Sequence, residues 1–451
     1  MRKLGLISFV LAAVLVLSGC SFITFKNTTE LLKAPALGAE QGELQKALSG
    51  YLKNIQPNLQ PKYKFPKEGD LRSPLVMLDM NGDGQEEGIL FYSVDDVSAD
   101  KKKTNNVYAA ILEKGEDGWQ VVDDKEAPNL DIASVEIVDL FNDGTQQLLV
   151  GYSNGALQAK SMVIYRYQDG AYVNALGGDG KYMGYVAYCV ADFYEDGREM
   201  VAIVSPAEQD TPRMNMSFYS AGNTGQLEIS QNSIELYANF DSTRPVAFYP
   251  GKSAGGQSLI VVDGYTVAGK MASQFLDRSA TGGEGYYSRN DKSNAEMAGE
   301  TTRDSSLLAA RDIDGDGVLE IPLDITSNGT IREIVTESSN VTLRYLTWVD
   351  FTGDEPVAKQ FGILDVGRSI FVQLPPEWEG QVLIEDGIAA GEWVVKRAES
   401  GTELVSLRAI TGSDTVMENV KRVPGDVDVF LVLSDEVTAM EKLQIKGTLL
   451  S

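Results

Sequence analysis

Short apolar runs recur in pairs along the middle of the chain, and a polar, glycine-containing loop separates the two members of each pair. The runs before the loops are PLVML, SVEIV, AYCVA and LLAAR, and those after the loops are GILFY, LLVGY, MVAIV and IPLDI. A hairpin-like segment follows each pair, as in VYAAILEKGEDGWQVV. Apolar runs of this length between turn residues predict four short β-strands in every unit.

The loops between the paired runs share one acidic motif. Two copies read D-x-[DN]-x-D-G-x-x-E in full, at Asp79–Glu87 and Asp312–Glu320. Copies at 139–147 and 192–200 keep the first and fifth aspartates and the glycine, but they have an aromatic residue at the third position. Their ninth residue is a glutamine or a methionine, so these two copies are predicted not to bind a metal.

The motif repeats at a nearly constant distance. The first aspartates are separated by 60, 53 and 120 residues, and the last gap equals two periods. Residues 246–264 lie in that gap and predict a strand, a glycine-rich turn and a strand without the acids. Four strands in every 55–60 residues are typical of β-propeller blades.

The spacing of the complete loops indicates calcium. Ca²⁺ takes six to eight oxygen ligands in forgiving geometry, and alternate carboxylates converge on one point when the chain curls. Three neighbouring acids without a cation would repel one another; the alternative is a metal-free turn of Asp, Asn and Gly. The predicted ligands are Asp79, Asn81, Asp83, the carbonyl of Gln85 and Glu87 in one loop, and Asp312, Asp314, Asp316, the carbonyl of Val318 and Glu320 in the other.

These loops resemble those of the FG-GAP / VCBS repeat family, which are calcium-loop β-propellers. The resemblance covers about residues 70–365 and implies a mainly β fold. Members of the family usually have seven blades, whereas this chain shows five clear periods. We therefore expect a propeller of about five to seven four-stranded blades.

Two segments flank the repeats. Residues 40–56 place Leu44, Leu48, Tyr51, Leu52 and Ile55 on one helical face, which predicts a helix packed on the repeat domain. Residues 366–451 lose the repeat and predict a small mixed α/β domain, with a helix across Glu436–Lys446. Its strand candidates are SIFVQL, QVLIED, EWVVKRA, LVSLRAI and DVFLVLS.

The N-terminal residues predict a lipid anchor. Arg2 and Lys3 precede an apolar run, and the following Leu17-Ser18-Gly19-Cys20 resembles the lipobox of bacterial lipoprotein signal peptides. The resemblance implies cleavage after residue 19 and lipid on Cys20; the alternative is an ordinary secretory signal with a chance cysteine. We expect a signal peptide at 1–19, a tether at 20–39, a helix and lead-in at 40–69, and a position on the extracytoplasmic face of the cell membrane.

Composition excludes several kinds of function. The chain has no histidine, which excludes Ser-His-Asp and Cys-His catalysis and histidine metal sites. Its net charge of −26 disfavours nucleic acid as a partner. Apart from Cys20, the only cysteine is Cys189, and the apolar run around it predicts a buried, unreactive thiol.

No catalytic motif appears, so the predicted function is that of a binding module. We expect a calcium-stabilised β-propeller, anchored to the membrane through its lipid, that binds an unknown protein or glycan ligand. One alternative is a carboxylate-dependent glycan hydrolase or lyase, because a pair of acids needs no histidine. Another is a structural lipoprotein that supports assembly of the cell envelope.

Overall fold

The computed structural model describes most of the chain from the predicted helix onward. The described residues are 39–57, 59–95, 106–127, 131–154, 160–177, 182–206, 213–231, 233–278, 285–288, 301–303, 308–323, 333–335, 342–352, 355–409, 419–423 and 429–450. The predicted signal peptide, Cys20 and nearly all of the tether lie outside these residues. The described chain is mainly β, as predicted, with antiparallel sheets and one long N-terminal helix.

The first three sheets follow one another along the chain. The first contains β1 (Gln60–Tyr63), β2 (Leu75–Leu78), β3 (Glu87–Asp95), β4 (Val107–Gly115) and β5 (Gly118–Ala127). The second contains β6 (Asp131–Val138), β7 (Gln147–Ser153), β8 (Lys160–Gln168), β9 (Ala171–Asn174) and β10 (Met183–Tyr185). The third contains β11 (Ala187–Ala191), β12 (Met200–Pro206), β13 (Met214–Ala221), β14 (Leu227–Ile229) and β15 (Ile234–Glu235).

Three further sheets complete the described structure. The fourth contains β16 (Val246–Lys252), β17 (Ser258–Tyr265), β18 (Met271–Arg278) and β19 (Tyr286–Ser288). The fifth contains β20 (Ile321–Leu323), β21 (Glu333–Val335), β22 (Thr342–Thr352), β23 (Glu355–Asp365), β24 (Ile370–Leu374) and β30 (Lys446–Leu449). The sixth contains β25 (Val382–Asp386), β26 (Trp393–Arg397), β27 (Glu403–Ala409), β28 (Val420–Arg422) and β29 (Val429–Leu433).

The central strands of the second to fifth sheets are apolar on both faces because each of these sheets packs against the sheet before it and the sheet after it. In β7, Leu148 and Val150 join a core with the first sheet, while Leu149 joins a core with the third. In β17, Ile260 faces the third sheet and Val261 the fifth. Successive side chains of a strand point to opposite faces, so a continuous apolar run indicates a strand between two neighbouring sheets.

The predicted helix covers the free face of the first sheet. Helix α1 (Ala39–Ile55) buries Leu44, Leu48 and Leu52 against β3 and β4. Tyr51 is half-buried at the edge of this contact. Ile55 was also expected on the packed face, but 59% of its surface is exposed because the helix ends there.

The face of the sixth sheet turned away from the fifth carries charged pairs. Lys396 and Glu385 lie 2.5 Å apart, and Arg408 lies 3.1 Å from Glu403. Among the described residues, no apolar cluster joins this sheet to the first. The structure therefore shows six sheets packed in order, and the closed ring and its number of blades stay predictions.

Two sequence expectations about strands need correction or refinement. The run before the fourth loop was predicted as a strand, but among residues 308–311 only Arg311 forms an isolated bridge, with Glu320. β24, predicted within the C-terminal domain, is a strand but pairs with β23, and β30 extends the same sheet. One apolar core joins the fifth and sixth sheets, and the domain boundary at 366 stays a prediction.

The C-terminal helix is shorter than predicted. Helix α2 spans Ala439–Gln444, because Thr438 caps its start and accepts the backbone N–H of Glu441. The Glu441 side chain in turn accepts the backbone N–H of Thr438, so the two residues form a capping box. A short 3-10 helix, Pro376–Trp378, precedes the sixth sheet.

Candidate metal centre

The first complete loop connects β2 to β3 and is held closed by its first aspartate. Asp79 Oδ1 accepts the backbone N–H of Gly82 at 2.7 Å, and its Oδ2 accepts that of Gly84 at 2.9 Å. Both glycines have positive φ, 74° and 85°, which only glycine adopts without cost. Asn81 Nδ2 donates to Glu87 Oε1 at 2.8 Å. These bonds bring the polar side chains into one small volume.

The second complete loop precedes β20 and forms the same turn. Asp312 Oδ1 accepts the backbone N–H of Gly315 at 2.6 Å, and its Oδ2 accepts that of Gly317 at 2.9 Å. The φ angles of these glycines are 82° and 85°. The backbone N–H of Asp316 donates to Asp314 Oδ1 at 3.2 Å. Two loops 233 residues apart thus share one hydrogen-bonding scheme.

Each loop gathers three carboxylates whose oxygens lie within 4.8 Å of one another. The groups are Asp79, Asp83 and Glu87 in the first loop, and Asp312, Asp314 and Glu320 in the second. Asn81 contacts its group through the side-chain amide, whereas Asp316 does not belong to the second group. Gln85 and Val318 donate their backbone N–H groups to the fifth-position aspartate at 2.8 Å. Their carbonyl contribution to a metal site stays a prediction.

The ninth-position glutamate is the buried member of each group. Glu87 is 2% exposed and Glu320 is fully buried. Glu87 Oε2 accepts the backbone N–H of Met80 at 2.7 Å, and Glu320 Oε2 accepts that of Ile313 at 3.0 Å. Among the described residues, Glu320 Oε1 is buried without a hydrogen-bond partner. A buried carboxylate oxygen without a partner is costly unless a cation or a proton compensates it.

Burial raises the pKa of both glutamates to about 7, and the neighbouring aspartates add to the increase. A bound cation would reverse this effect, because opposite charge favours the ionised form. The donors of both loops are oxygens with short, flexible attachments, which is the ligand set of a hard cation such as Ca²⁺. The residues present therefore fit calcium.

The loop at 139–147 has the same turn but different chemistry at its end. Leu140 donates its backbone N–H to Gln147 Oε1 at 2.7 Å, as Met80 does to Glu87. Gln147 Nε2 then donates to the carbonyl of Thr145 at 2.7 Å, so a hydrogen-bond donor stands where the complete loop has a carboxylate oxygen. One acidic oxygen, Oδ1 of Asp139, is buried without a partner among the described residues, but no third carboxylate accompanies it.

The loop at 192–200 also retains the turn. Asp192 Oδ2 accepts the backbone N–H of Gly197 at 2.8 Å, but Met200 replaces the closing glutamate. Neither degenerate loop brings three carboxylates together within the described residues. The fourth sheet has no acidic loop: a tight turn at 253–257 joins β16 to β17, as predicted for the lost copy.

The two degenerate loops border a common cleft of about 480 Å³. Their third-position aromatics, Phe141 and Tyr194, line it together with Arg198, Glu199 and Arg278. The guanidinium of Arg278 lies 5.2 Å from the ring centre of Tyr194. Aromatic rings beside charged groups provide both apolar contact and hydrogen bonds, and the volume is that of an ordinary ligand site. The sequence did not indicate this cleft, because its residues come from separate sheets.

Cys189 lies in β11 and is half-buried rather than fully buried. Burial raises the pKa of its thiol to about 11. A thiol with this pKa is protonated at neutral pH and is a poor nucleophile, in agreement with the sequence. In the described part of the chain, no helix has the length and apolarity required to cross a bilayer.

Comparisons with known proteins do not assign a family to this chain. No family model matches it, and no curated protein matches it. Among solved structures, it is similar to the crystal structure of Saccharomyces cerevisiae Sqt1, with a TM-score of 0.25 and 11% sequence identity. That alignment covers 78% of this chain and 85% of Sqt1. At this level of similarity, the alignment supports no conclusion about function.

Proposed function

We propose that this protein is an extracytoplasmic, lipid-anchored binding module whose β-propeller is stabilised by two calcium ions. The observation that supports calcium most directly is Glu320 Oε1, which is buried without a partner beside Asp312 and Asp314. The equivalent group around Glu87 supports a second ion. In both sites the ion stabilises the turn between strands and performs no chemistry.

A β-propeller of FG-GAP / VCBS type is the finer fold that we propose. Antiparallel sheets of four to six strands that follow one another along the chain support it, as does the packing of each sheet on the next. We propose that the protein or glycan ligand binds in the cleft between the degenerate loops, since its aromatic and charged lining suits either class.

Calcium content tests the metal part of this function. The purified protein, dialysed against Ca²⁺ and then washed briefly, should contain two calcium ions per chain by elemental analysis. Asp79→Asn and Asp312→Asn should each remove about one ion, whereas Asp139→Asn should remove none because its loop lacks the closing carboxylate. A wild-type protein without bound calcium at millimolar concentration would contradict the proposal.

Fatty-acid labelling tests the anchor. Cells given a labelled fatty acid should transfer it to the wild-type protein, and Cys20→Ala should abolish both labelling and processing. Cys189→Ala is the matched control, because it removes the other cysteine, and it should leave labelling intact. An unlabelled wild-type protein would show that the N-terminal segment is not a lipoprotein signal.

Activity assays separate the binding module from the alternative enzyme. We expect the purified protein to release no reducing ends from glycans, because the chain has no histidine and no recognisable nucleophile motif. Turnover that is lost on substitution of one carboxylate in the cleft, such as Glu199→Gln, would favour a glycan hydrolase or lyase instead.

A further inference from the structure

The fifth position of the acidic loop is an aspartate in all four copies, and in three of them a basic side chain lies beside it. These ion pairs are Arg166–Asp143 at 3.4 Å, Arg198–Asp196 at 2.5 Å and Lys359–Asp316 at 3.6 Å. Within the described residues, Asp83 of the first loop has no such ion pair. The two loops predicted not to bind metal therefore carry a basic side chain of the protein at a position where a complete loop offers a ligand to calcium.

The loop at 312–320 is intermediate between the two kinds. It has the full set of acids, including the buried Glu320, yet it also has Lys359 beside Asp316. The loop at 79–87 has no such ion pair among the described residues. The two loops share their spacing and their turn, but two charges distinguish them: the third position is Asn81 in the first loop and Asp314 in the second, and only the second loop has Lys359 beside its fifth-position aspartate.

The fold holds Lys359 in place. Its Nζ lies 3.0 Å from Asp350 Oδ2, and Asp350 is 2% exposed on the neighbouring strand β22. The pairing of β22 with β23 shifts at this point: Trp348 faces Gln360 and Val349 faces Ala358, so Lys359 is the extra residue of a β-bulge. Bulges redirect a side chain relative to its neighbours, and withdrawal of the ammonium would leave a buried carboxylate unpaired.

The position of Asp316 agrees with attraction by this lysine. In the first loop the fifth-position aspartate belongs to the group of three carboxylates, but in the second loop Asp316 does not. A divalent ion in the second loop would have to recruit Asp316 away from Lys359 and would be repelled by the ammonium. Both effects weaken binding, and neither acts on the first loop.

We infer that Lys359 weakens calcium binding by the loop at 312–320, because its ammonium pairs with Asp316 and competes with the ion for that carboxylate. Lys359 supplies part of the positive charge that the metal would supply in this loop, and it therefore sets the affinity of the second site. This inference rests on the proposed calcium function and adds to it a residue that controls one of the two sites.

Calcium titration of the full-length protein in detergent, with Ca²⁺ alone as the probe, tests the inference by calorimetry. Asp312→Asn isolates the first site and Asp79→Asn isolates the second. Adding Lys359→Met to Asp79→Asn should lower the dissociation constant of the second site by on the order of tenfold, the size expected for one fixed charge near a partly screened cation. Added to Asp312→Asn, the same substitution should leave the dissociation constant of the first site unchanged.

A second variant guards against misfolding. Lys359→Met leaves Asp350 buried without its partner, whereas Lys359→Met with Asp350→Asn removes both charges. The double variant should still tighten the second site, because Asp316 is released, but by less than Lys359→Met alone, because the negative charge of Asp350 is lost as well. Lys396→Met is the matched control: its ion pair with Glu385 lies in the sixth sheet, and it should change neither constant.

The outcomes are distinct. A dissociation constant of the second site that neither Lys359→Met nor the double substitution at 350 and 359 changes would overturn the role of Lys359. A wild-type protein that binds no calcium would instead contradict the proposed function. A second site that tightens on loss of Lys359 and not of Lys396 would support the inference.

Discussion

Glu87 and Gln147 occupy the same place in two neighbouring sheets, and these two side chains differ in one terminal atom. In both loops, one side-chain oxygen accepts the backbone N–H of the residue after the first aspartate, at 2.7 Å. The remaining atom is a carboxylate oxygen in Glu87 and an N–H donor in Gln147. The turn therefore forms without a cation, and a cation bound in a complete loop would neutralise the carboxylates that are packed there.

Arg166 neutralises one of the two aspartates that the degenerate loop at 139–147 retains. Its guanidinium lies 3.7 Å from the ring centre of Phe141 and pairs with Asp143, while Nη1 donates to the carbonyl of Gly225 in the next sheet. The arginine side chain is a permanent cation, because it stays in the loop at all calcium concentrations. A bound Ca²⁺ is exchangeable, so the stability of the complete loops should depend on the calcium concentration. The four predictions below test this contrast.

The largest effect on stability is expected from loss of a buried arginine side chain at the fourth sheet, where the acidic loop is absent. Arg303 and Asp263 form an ion pair at 2.8 Å with both side chains fully buried. Arg303→Met should lower the free energy of unfolding by about 3–5 kcal/mol, because it leaves a buried charge unpaired. Denaturant unfolding should give the same loss in calcium and in chelator. A loss that calcium restores would contradict the contrast between permanent and exchangeable cations.

The next effect is a pH dependence that appears only without calcium. Folding raises the pKa of Glu87 and Glu320 from 4.5 to about 7. A carboxyl with a raised pKa contributes stability below its unfolded pKa, and this stability is lost as the pH rises through the folded value. In chelator, stability should fall between about pH 4.5 and pH 7, by up to about 3 kcal/mol for each glutamate.

Thermal melting in chelator across this pH range measures the effect. Glu320→Gln should flatten part of the slope, and Gln147→Ala, the matched control in a degenerate loop, should leave the slope unchanged. Calcium should suppress the dependence at high pH, because it binds the ionised form. A stability that rises from pH 5 to pH 7 in chelator would show that these glutamates are not destabilised when charged.

A smaller effect is expected from calcium binding itself. With dissociation constants of about 10⁻⁴ to 10⁻³ M, millimolar Ca²⁺ should stabilise the protein by about 0.4–1.4 kcal/mol per site. The melting temperature should then rise by a few degrees at most. Asp79→Asn should remove a share of the rise, because it exchanges a charged ligand for a neutral amide, and Glu87→Gln should remove a share for the same reason.

The calcium-dependent shift, rather than the melting temperature alone, is the correct readout. Asp79 accepts two backbone N–H groups, so its substitution lowers stability even in chelator. Asp192 also accepts two backbone N–H groups in its loop. Asp192→Asn should therefore lower stability similarly and leave the calcium-dependent shift intact. Equal loss of the shift in both variants would refute the distinction between complete and degenerate loops.

The smallest effect is expected at the exposed ion pair of the third sheet. Arg198 and Asp196 lie 2.5 Å apart, but 68% of the arginine side chain is exposed. Solvent screens such a pair, so Arg198→Ala should cost less than about 1 kcal/mol with or without calcium. Chemical denaturation at two calcium concentrations checks this. A cost that grows in chelator would indicate that this loop also binds a cation.

The local features of the loops could be predicted from the sequence. The spacing of Asp79, Asp83 and Glu87 was enough to predict that their carboxylates converge, because the nine-residue loop from Asp79 to Glu87, with its two glycines, leaves few paths for the backbone. The paired apolar runs predicted strands in the right order because a strand run is also a local pattern. The run before the fourth loop failed as a strand, since its pairing depends on partners far along the chain.

What the sequence determined by itself is therefore what lies within one turn or one hairpin: the acids of each loop, the strand runs, the helix and the absence of histidine chemistry. Tertiary structure alone decided that Arg166 reaches the loop at 139–147 and that Lys359 reaches the loop at 312–320. Arg166 comes from β8, and Lys359 comes from a bulge in β23, 43 residues after Asp316. The position of a charge in space depends on strand register and on the packing of whole sheets, and a local pattern of residues encodes neither.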